Sequence, residues 1–421
     1  MDATVEIPAD LGARAVRSLA AGDALDALKV AGPFGGPHAL ALRGIALAQI
    51  GAYAEARAAL ERAARVFAAS GAERARARAS AALGEIALAQ RELGEARRGL
   101  VEAGDALERA GDPTNAAWAR LGAARAALLD GHVAEAERAL ASAEATVTVD
   151  APAFTRAALA LARAELHARL VRASAARRAA EQAAACARAS GQPQLVAEAE
   201  RFLRAQDEPV ARVVRGGREE LARLADVEAL AAGAAGRLVV DAIRRRVLDG
   251  GAARADLSRR PVLFAMLEAL ARAHPAAVAT ADLARAAFGV RAVNESHRRR
   301  LRVEVGRLRA ALGGVGAVKA LGNAYRWELG DGVELALLAP LEPGDAGAIC
   351  ALLADGAAWS AAAIGAALGK STRTVQRALA DLAHAGAVEV TGGGPSRRYA
   401  RPRAALSIAS QMLLLGLALP G

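Results

Sequence analysis

Six arginines crowd one short stretch, NESHRRRLRVEVGRLRAAL at residues 294–312: Arg298, Arg299, Arg300, Arg302, Arg307 and Arg309. From Arg291 to Ala310 there are seven basic residues against two acids, Glu295 and Glu304. A guanidinium offers a planar fork of donors that fits guanine edges and phosphate oxygens bidentately. Leu301, Val305, Leu308 and Leu312 step by four, three and four, so one face of a helix is apolar and the arginines are left around the rest. A second set follows in STRTVQRALADL, where Ser371, Thr372, Arg373, Gln376 and Arg377 stay outward once Val375, Leu379 and Leu382 turn inward. Arg397 and Arg398 lie just beyond the glycine run 392–394. These are hydrogen-bonding and phosphate-binding side chains rather than catalytic ones. The six histidines lack metal-ligand spacing, with His297 fitting a capping or DNA-facing place. Cys186 and Cys350 are far apart, and no nucleophile triad, P-loop or dinucleotide glycine pattern is present. The expectation is a protein without enzymatic activity, cofactor or metal.

Such side chains need a frame. Residues 237–241 (RLVVD) and 245–248 (RRVL) read as short strands leading to the turn Asp249-Gly250-Gly251. Pro261 opens a helix with Val262, Leu263, Met266, Leu267 and Leu270 at helical spacing, and Pro275 ends it. Thr280 caps a second helix that Gly289 closes. The arginine helix comes third, and residues 317–329 read as strand–turn–strand about Gly322-Asn323. Over residues 237–329 this order resembles the OmpR/PhoB-class winged helix, through Leu257-Ser258 ahead of the apolar helix, the RLRAAL end of the third helix and Tyr325-Arg326 in the hairpin. The resemblance implies a third helix in the major groove and a wing on the flanking minor groove. It also implies that Arg299, Arg307 and Arg309, with Arg298, Arg300 and Arg326 beside them, face DNA.

A second frame surrounds the STRTVQR segment. Asp345 caps a helix running to Leu353, and Ser360 caps another with Ile364 and Leu368 inward. Gly369-Lys370 makes the turn, and Ser371 caps the helix that carries Arg373 and Arg377. Gly386 ends it, and residues 387–391 and 396–400 form a two-stranded wing. STRTVQRALADLAHAGAV and GGGPSRRY resemble bacterial winged helix-turn-helix regulators, which implies contact with duplex DNA.

The front half repeats every forty residues or so. Small residues recur at Gly44, Gly84, Ala124 and Ala164, at Ala56, Ala96, Ala136 and Ala176, and at Ala63, Ala103, Ala143 and Ala183. Leu60, Leu100 and Leu140 recur between them, with Ala180 breaking the series. Helices approach closely only where side chains are small, so each unit reads as a helical hairpin stacked on the next. Turns are expected at Gly51, Leu93-Gly94 and Asp130-Gly131-His132. The pattern resembles the tetratricopeptide repeat, and longer loops at residues 71–74 and 111–114 are expected to stretch its period. Such an array implies a groove that docks a peptide or protein, or a spacer or dimerisation element.

The expected architecture is mainly α. A helical cap spans 1–38, four tetratricopeptide-like repeats 39–205, and a linker with one helix, residues 219–231, lies in 206–235. An OmpR/PhoB-like winged helix covers 236–330, a winged helix-turn-helix 340–403 and an apolar tail 404–421. The net charge of +10 suits a polyanion. No stretch reads as a signal peptide or membrane span, so a cytoplasmic location is expected. Two winged helices on one chain point to a transcription regulator binding duplex DNA, with a homodimer left open. The alternative is a non-enzymatic scaffold whose winged helices dock proteins.

Overall fold

The computed structural model describes residues 5–90, 92–130, 132–147, 151–233, 236–341, 344–353, 359–368, 370–394 and 397–400. The turn residues Gly131 and Gly369, Ser396 in the wing and the tail 404–421 lie outside them. The chain is mainly helical and divides into two compact units: residues 1–170 with 175–205 and 352–421, and residues 171–174 with 206–351.

In the first unit, α1 (Ala9–Ala20) and α2 (Ala24–Ala31) precede a run of stacked hairpins. These are α3 (Pro37–Gln49) with α4 (Tyr53–Ala69), α5 (Glu73–Ala89) with α6 (Leu93–Arg109), and α7 (Pro113–Leu129) with α8 (Val133–Thr146). Next come α9 (Ala153–Arg169), α10 (Ala173–Ser190) and α11 (Pro193–Ala205). The recurrent small residues are buried, and the reason is steric. A Cβ on Gly84 would lie 2.7 Å from Leu100 Cγ, and one on Gly44 would lie 2.6 Å from Leu60 Cγ. Leu60 and Leu100 are wholly buried and Leu140 nearly so. The small residue is therefore the socket for the leucine of the following helix.

Two expectations change. The extra period comes from helix length, since α4, α5, α6 and α7 are each 17 residues long. The loops are not long: only residues 70–72 and 110–112 separate successive hairpins there. α6 begins at Leu93, so Leu93 and Gly94 lie inside the helix rather than in the expected turn. Ion pairs repeat with the array. Arg57 reaches Glu92 and Glu95 of the next hairpin at 2.6 and 2.9 Å. Arg97 pairs with Glu135 one hairpin further on.

The second unit is built on a six-stranded sheet of order β2-β1-β9-β3-β4-β5. Its strands are β1 (Ala211–Arg215), β2 (Arg218–Ala222), β3 (Arg237–Asp241), β4 (Arg246–Asp249), β5 (Ala252–Asp256) and β9 (Glu334–Pro340). Neighbours are antiparallel except β3 and β9. Side chains alternate across it. Leu238, Val240, Val247 and Leu337 face the core that holds α13 (Pro261–Ala273), α14 (Thr280–Phe288) and α15 (Glu295–Leu312). Val213, Val239, Leu248 and Leu338 face α12 (Leu224–Ala232) on the opposite side.

Here the linker reading is corrected. The expected helix at 219–231 begins only at Leu224, because residues 218–222 pair with β1 around Gly216-Gly217, both at positive φ (52° and 78°). That is the backbone a two-residue hairpin turn needs. The stretch between the two expected winged helices is occupied by β9, an inner strand of the sheet between β1 and β3. A third sheet element, β6 (Val278–Ala279), joins the hairpin β7 (Ala317–Leu321) and β8 (Ala324–Glu328) in the order β6-β8-β7.

Towards the C-terminus come α16 (Gly344–Leu352), α17 (Ala361–Leu368), α18 (Thr372–His384), β10 (Glu389–Thr391) and β11 (Arg398–Ala400). No described helix is long and apolar enough to cross a membrane.

Candidate nucleic-acid interface

The arginine helix α15 is fixed at both ends and along one side. Asn294 caps it: its side chain accepts from the His297 amide at 3.0 Å, and His297 Nδ1 accepts from the Asn294 amide at 3.3 Å. His297 is thus a capping residue, the second half of a capping box. Gly313, left-handed at φ 56°, ends the helix. Leu301, Val305, Leu308 and Leu312 are all buried against α13, α14 and the sheet, as their spacing requires.

The arginines sort onto two flanks. At about 100° per residue, Arg298, Arg302 and Arg309 fall along one side of the outward face, and Arg300 and Arg307 along the other. Between them runs a ridge of Arg299, Val303, Gly306 and Ala310. All of these residues are exposed. Val303 is 56% accessible, and a Cβ on Gly306 would meet nothing within 4 Å. A ridge of small residues with arginine rails can lie close to a polyanion while both rails reach outward.

The structure also separates arginines that only looked alike. Arg309 Nε donates to the Val318 carbonyl at 2.7 Å and so pins the helix to the β7–β8 hairpin. Arg307 Nη1 lies 2.9 Å from Glu304, a buried carboxylate on the same helix. Arg300 stacks over the Phe288 ring, 4.7 Å from its centroid. Arg299 is 3.9 Å from Glu295, a loose exposed pair. Arg326 in the hairpin pairs with Glu328. Hydrogen bonds from Arg326 first and Lys319 next hold the Glu328 carboxyl below its usual range. Arg298 and Arg302 make no ion pair or side-chain hydrogen bond among the described residues. Sequence reasoning passed over Val303 and Lys319; the first is visible as a lone apolar residue among arginines, while the second gave no signal.

The hairpin is placed by its own contacts. Trp327, fully buried, donates its indole N–H to the Val315 carbonyl at 3.1 Å. The Thr280 amide donates to the Asn323 carbonyl at 2.9 Å, tying the start of α14 to the hairpin turn. Compared with protein-family models, curated proteins and solved structures, the chain matches none.

The C-terminal elements repeat the same order. After α16, the segment at Trp359 bridges to Tyr399 with reciprocal backbone bonds of 2.9 and 2.8 Å. α17, α18 and the β10–β11 hairpin follow. The earlier order is helix α13, strand β6 paired to β8, helices α14 and α15, then the β7–β8 hairpin. Trp359 thus takes the part of β6. Ser360 caps α17, accepting from the Ala363 amide at 3.1 Å. Ser371 caps α18, accepting from the Thr374 amide at 3.2 Å, so its hydroxyl is engaged within the helix. Val375, Leu379 and Leu382 are buried, and Thr372, Arg373, Gln376 and Arg377 are exposed. Arg373 and Arg377 sit one turn apart at the centre of the outward face, without a side-chain partner among the described residues. Arg397 and Arg398 flank the start of β11, both exposed.

Proposed function

We propose that this chain is a DNA-binding transcription regulator of the cytoplasm with two winged-helix modules, α13–β8 and α16–β11, behind a tetratricopeptide-like array. One observation carries the reading. Two segments share one order of elements and strand pairing, and each carries, just ahead of its hairpin, a capped helix with arginines on its outward face. In such modules that helix enters the major groove and the hairpin lies beside it. α15 supplies phosphate clamping through Arg298 and Arg302. α18 supplies base recognition through Arg373, Gln376 and Arg377, types that pair with guanine and adenine edges. Two modules on one chain raise affinity through effective concentration. The repeats dock a peptide or protein, or a second copy of the chain, that adjusts this binding.

The test is selection of genomic fragments by the purified chain, with Arg373→Ala/Arg377→Ala alongside. Selection by the native chain and its loss in the variant support the reading; absent or unselective binding by both refutes it. A scaffold reading draws on a specific observation, the commitment of Arg307, Arg309 and Arg326 to protein partners. It predicts affinity for protein partners with no steep salt dependence.

A further inference from the structure

Two residues at the centre of the outward face of α15 serve no purpose inside the chain. At about 100° per residue, Val303 points almost directly away from the buried stripe of Leu301, Val305, Leu308 and Leu312. It is 56% accessible and lies outside the core that takes those four. A single exposed valine is ordinary on a protein surface. This one stands on the arginine helix, with Arg302 on one side of it and Arg300 and Arg307 on the other, all exposed. Gly306 follows one turn later on the same ridge. Glycine is a poor helix former, and neither a turn nor a close neighbour calls for it here. It lies inside α15, and a Cβ would meet nothing within 4 Å. Ala310 comes next, so over about 10 Å of helix the ridge carries no polar side chain.

What such a face recognises follows from the groove it would enter. The arginine rails need anions on both sides, and the ridge between them needs an apolar contact. In the major groove guanine, adenine and cytosine present hydrogen-bonding edges, and thymine alone adds a methyl group. Against a polar edge, Val303 would strip water from groups it cannot bond. Against a thymine methyl, the exposure lost by both partners is apolar, which favours the contact. Valine is short, so this contact requires a close approach of the helix, and the absent side chain at Gly306 permits one.

We propose that Val303 is a specificity-determining residue that reads the C5-methyl group of a thymine by direct apolar contact, with Gly306 giving the clearance. This rests on the reading that α15 enters the major groove, and it makes α15 a reader of sequence as well as a clamp on phosphates. The two roles fall to different residues, the rails and the ridge.

The test uses the full chain and duplexes that it enriches from a random-sequence library. Each thymine of an enriched duplex is replaced in turn by uracil, which pairs identically but lacks the methyl group. At one position the native chain should lose about fourfold in affinity, the worth of one buried carbon. Val303→Ala changes an exposed residue to a better helix former, so the fold is kept. This variant should lose nothing at that position while responding to the other replacements as the native chain does. The proposal is overturned if no single replacement weakens the native chain, or if Val303→Ala keeps the native response at every position. Failure of the DNA reading looks different: no duplex is enriched and none is bound, and this proposal falls with it.

Discussion

The arginine flank of α15 makes a quantitative demand. Arg298 and Arg302 are exposed, one turn apart and unpartnered among the described residues, whereas Arg309 on the same flank is spent on the Val318 carbonyl. If the two free arginines each hold a phosphate, each contributes about 0.9 to the slope of log affinity against log salt. A fourfold rise in salt then costs about 3.5-fold per contact, or about twelvefold for the pair. Arg298→Ala/Arg302→Ala should therefore bind more weakly at low salt and lose about twelvefold less than the native chain between 50 and 200 mM. Helix propensity does not confuse the result, because arginine and alanine are both strong helix formers, and neither side chain touches the core. Fluorescence anisotropy on one duplex across the salt range measures both slopes. Parallel slopes would refute the reasoning, since the flank would then carry no phosphate, whatever the absolute affinities.

The remaining predictions concern what positions the site. Leu100→Ala should destabilise the array by about 2–5 kcal/mol. Gly84→Ala should cost about 1–3 kcal/mol through the 2.7 Å approach to Leu100 Cγ. The double variant should cost less than the two together, because the new methyl occupies space the leucine vacates; urea unfolding of all three variants decides it, and simple additivity counts against the socket. Burial on α5 makes Glu85 hold its proton in the fold to higher pH than in the unfolded chain, whose value is near 4.5. Stability from this group is therefore full below about 4.5 and is lost as pH rises through the higher folded value. Glu85→Gln should flatten that decline, and a pH series of unfolding free energies with the same slope in both proteins would contradict it. Arg309→Ala should loosen the β7–β8 hairpin without unfolding α15, seen as faster amide exchange at residues 317–328 and unchanged exchange at Leu308; equal change at both places would mean that Arg309 holds the whole module.

The sequence made the local signals plain and hid the distant ones. Gly289 and the four-three-four stripe of α15 act within a few residues, so the end of α14 and the buried face of α15 could both be read. β9 could not be read that way. Its run ELALLAP pairs in parallel with β3, Arg237 opposite Glu334, and with β1 on its other side. A strand covered on both faces has no polar alternation to betray it. β2 misled for the opposite reason: REELA favours a helix locally. Pairing with β1, with Arg212 held to Glu219, overrides that preference.

The same distinction governs the candidate interface. Composition and spacing showed a helix rich in arginine, but not which arginines are available. That depends on where Glu304 is buried, where the Val318 carbonyl comes to rest and where Phe288 ends α14. A guanidinium already bound to a carboxylate or carbonyl must give up that contact before it can serve a phosphate. Its contribution to binding is then only the difference between the two partners. On this argument Arg298, Arg302, Arg373 and Arg377 carry the favourable electrostatics. Arg309 acts instead through geometry, holding the hairpin at a fixed place beside the helix. The two groups should separate experimentally: loss of a free arginine lowers affinity along with its salt dependence, while loss of a committed one alters affinity and leaves the salt slope in place.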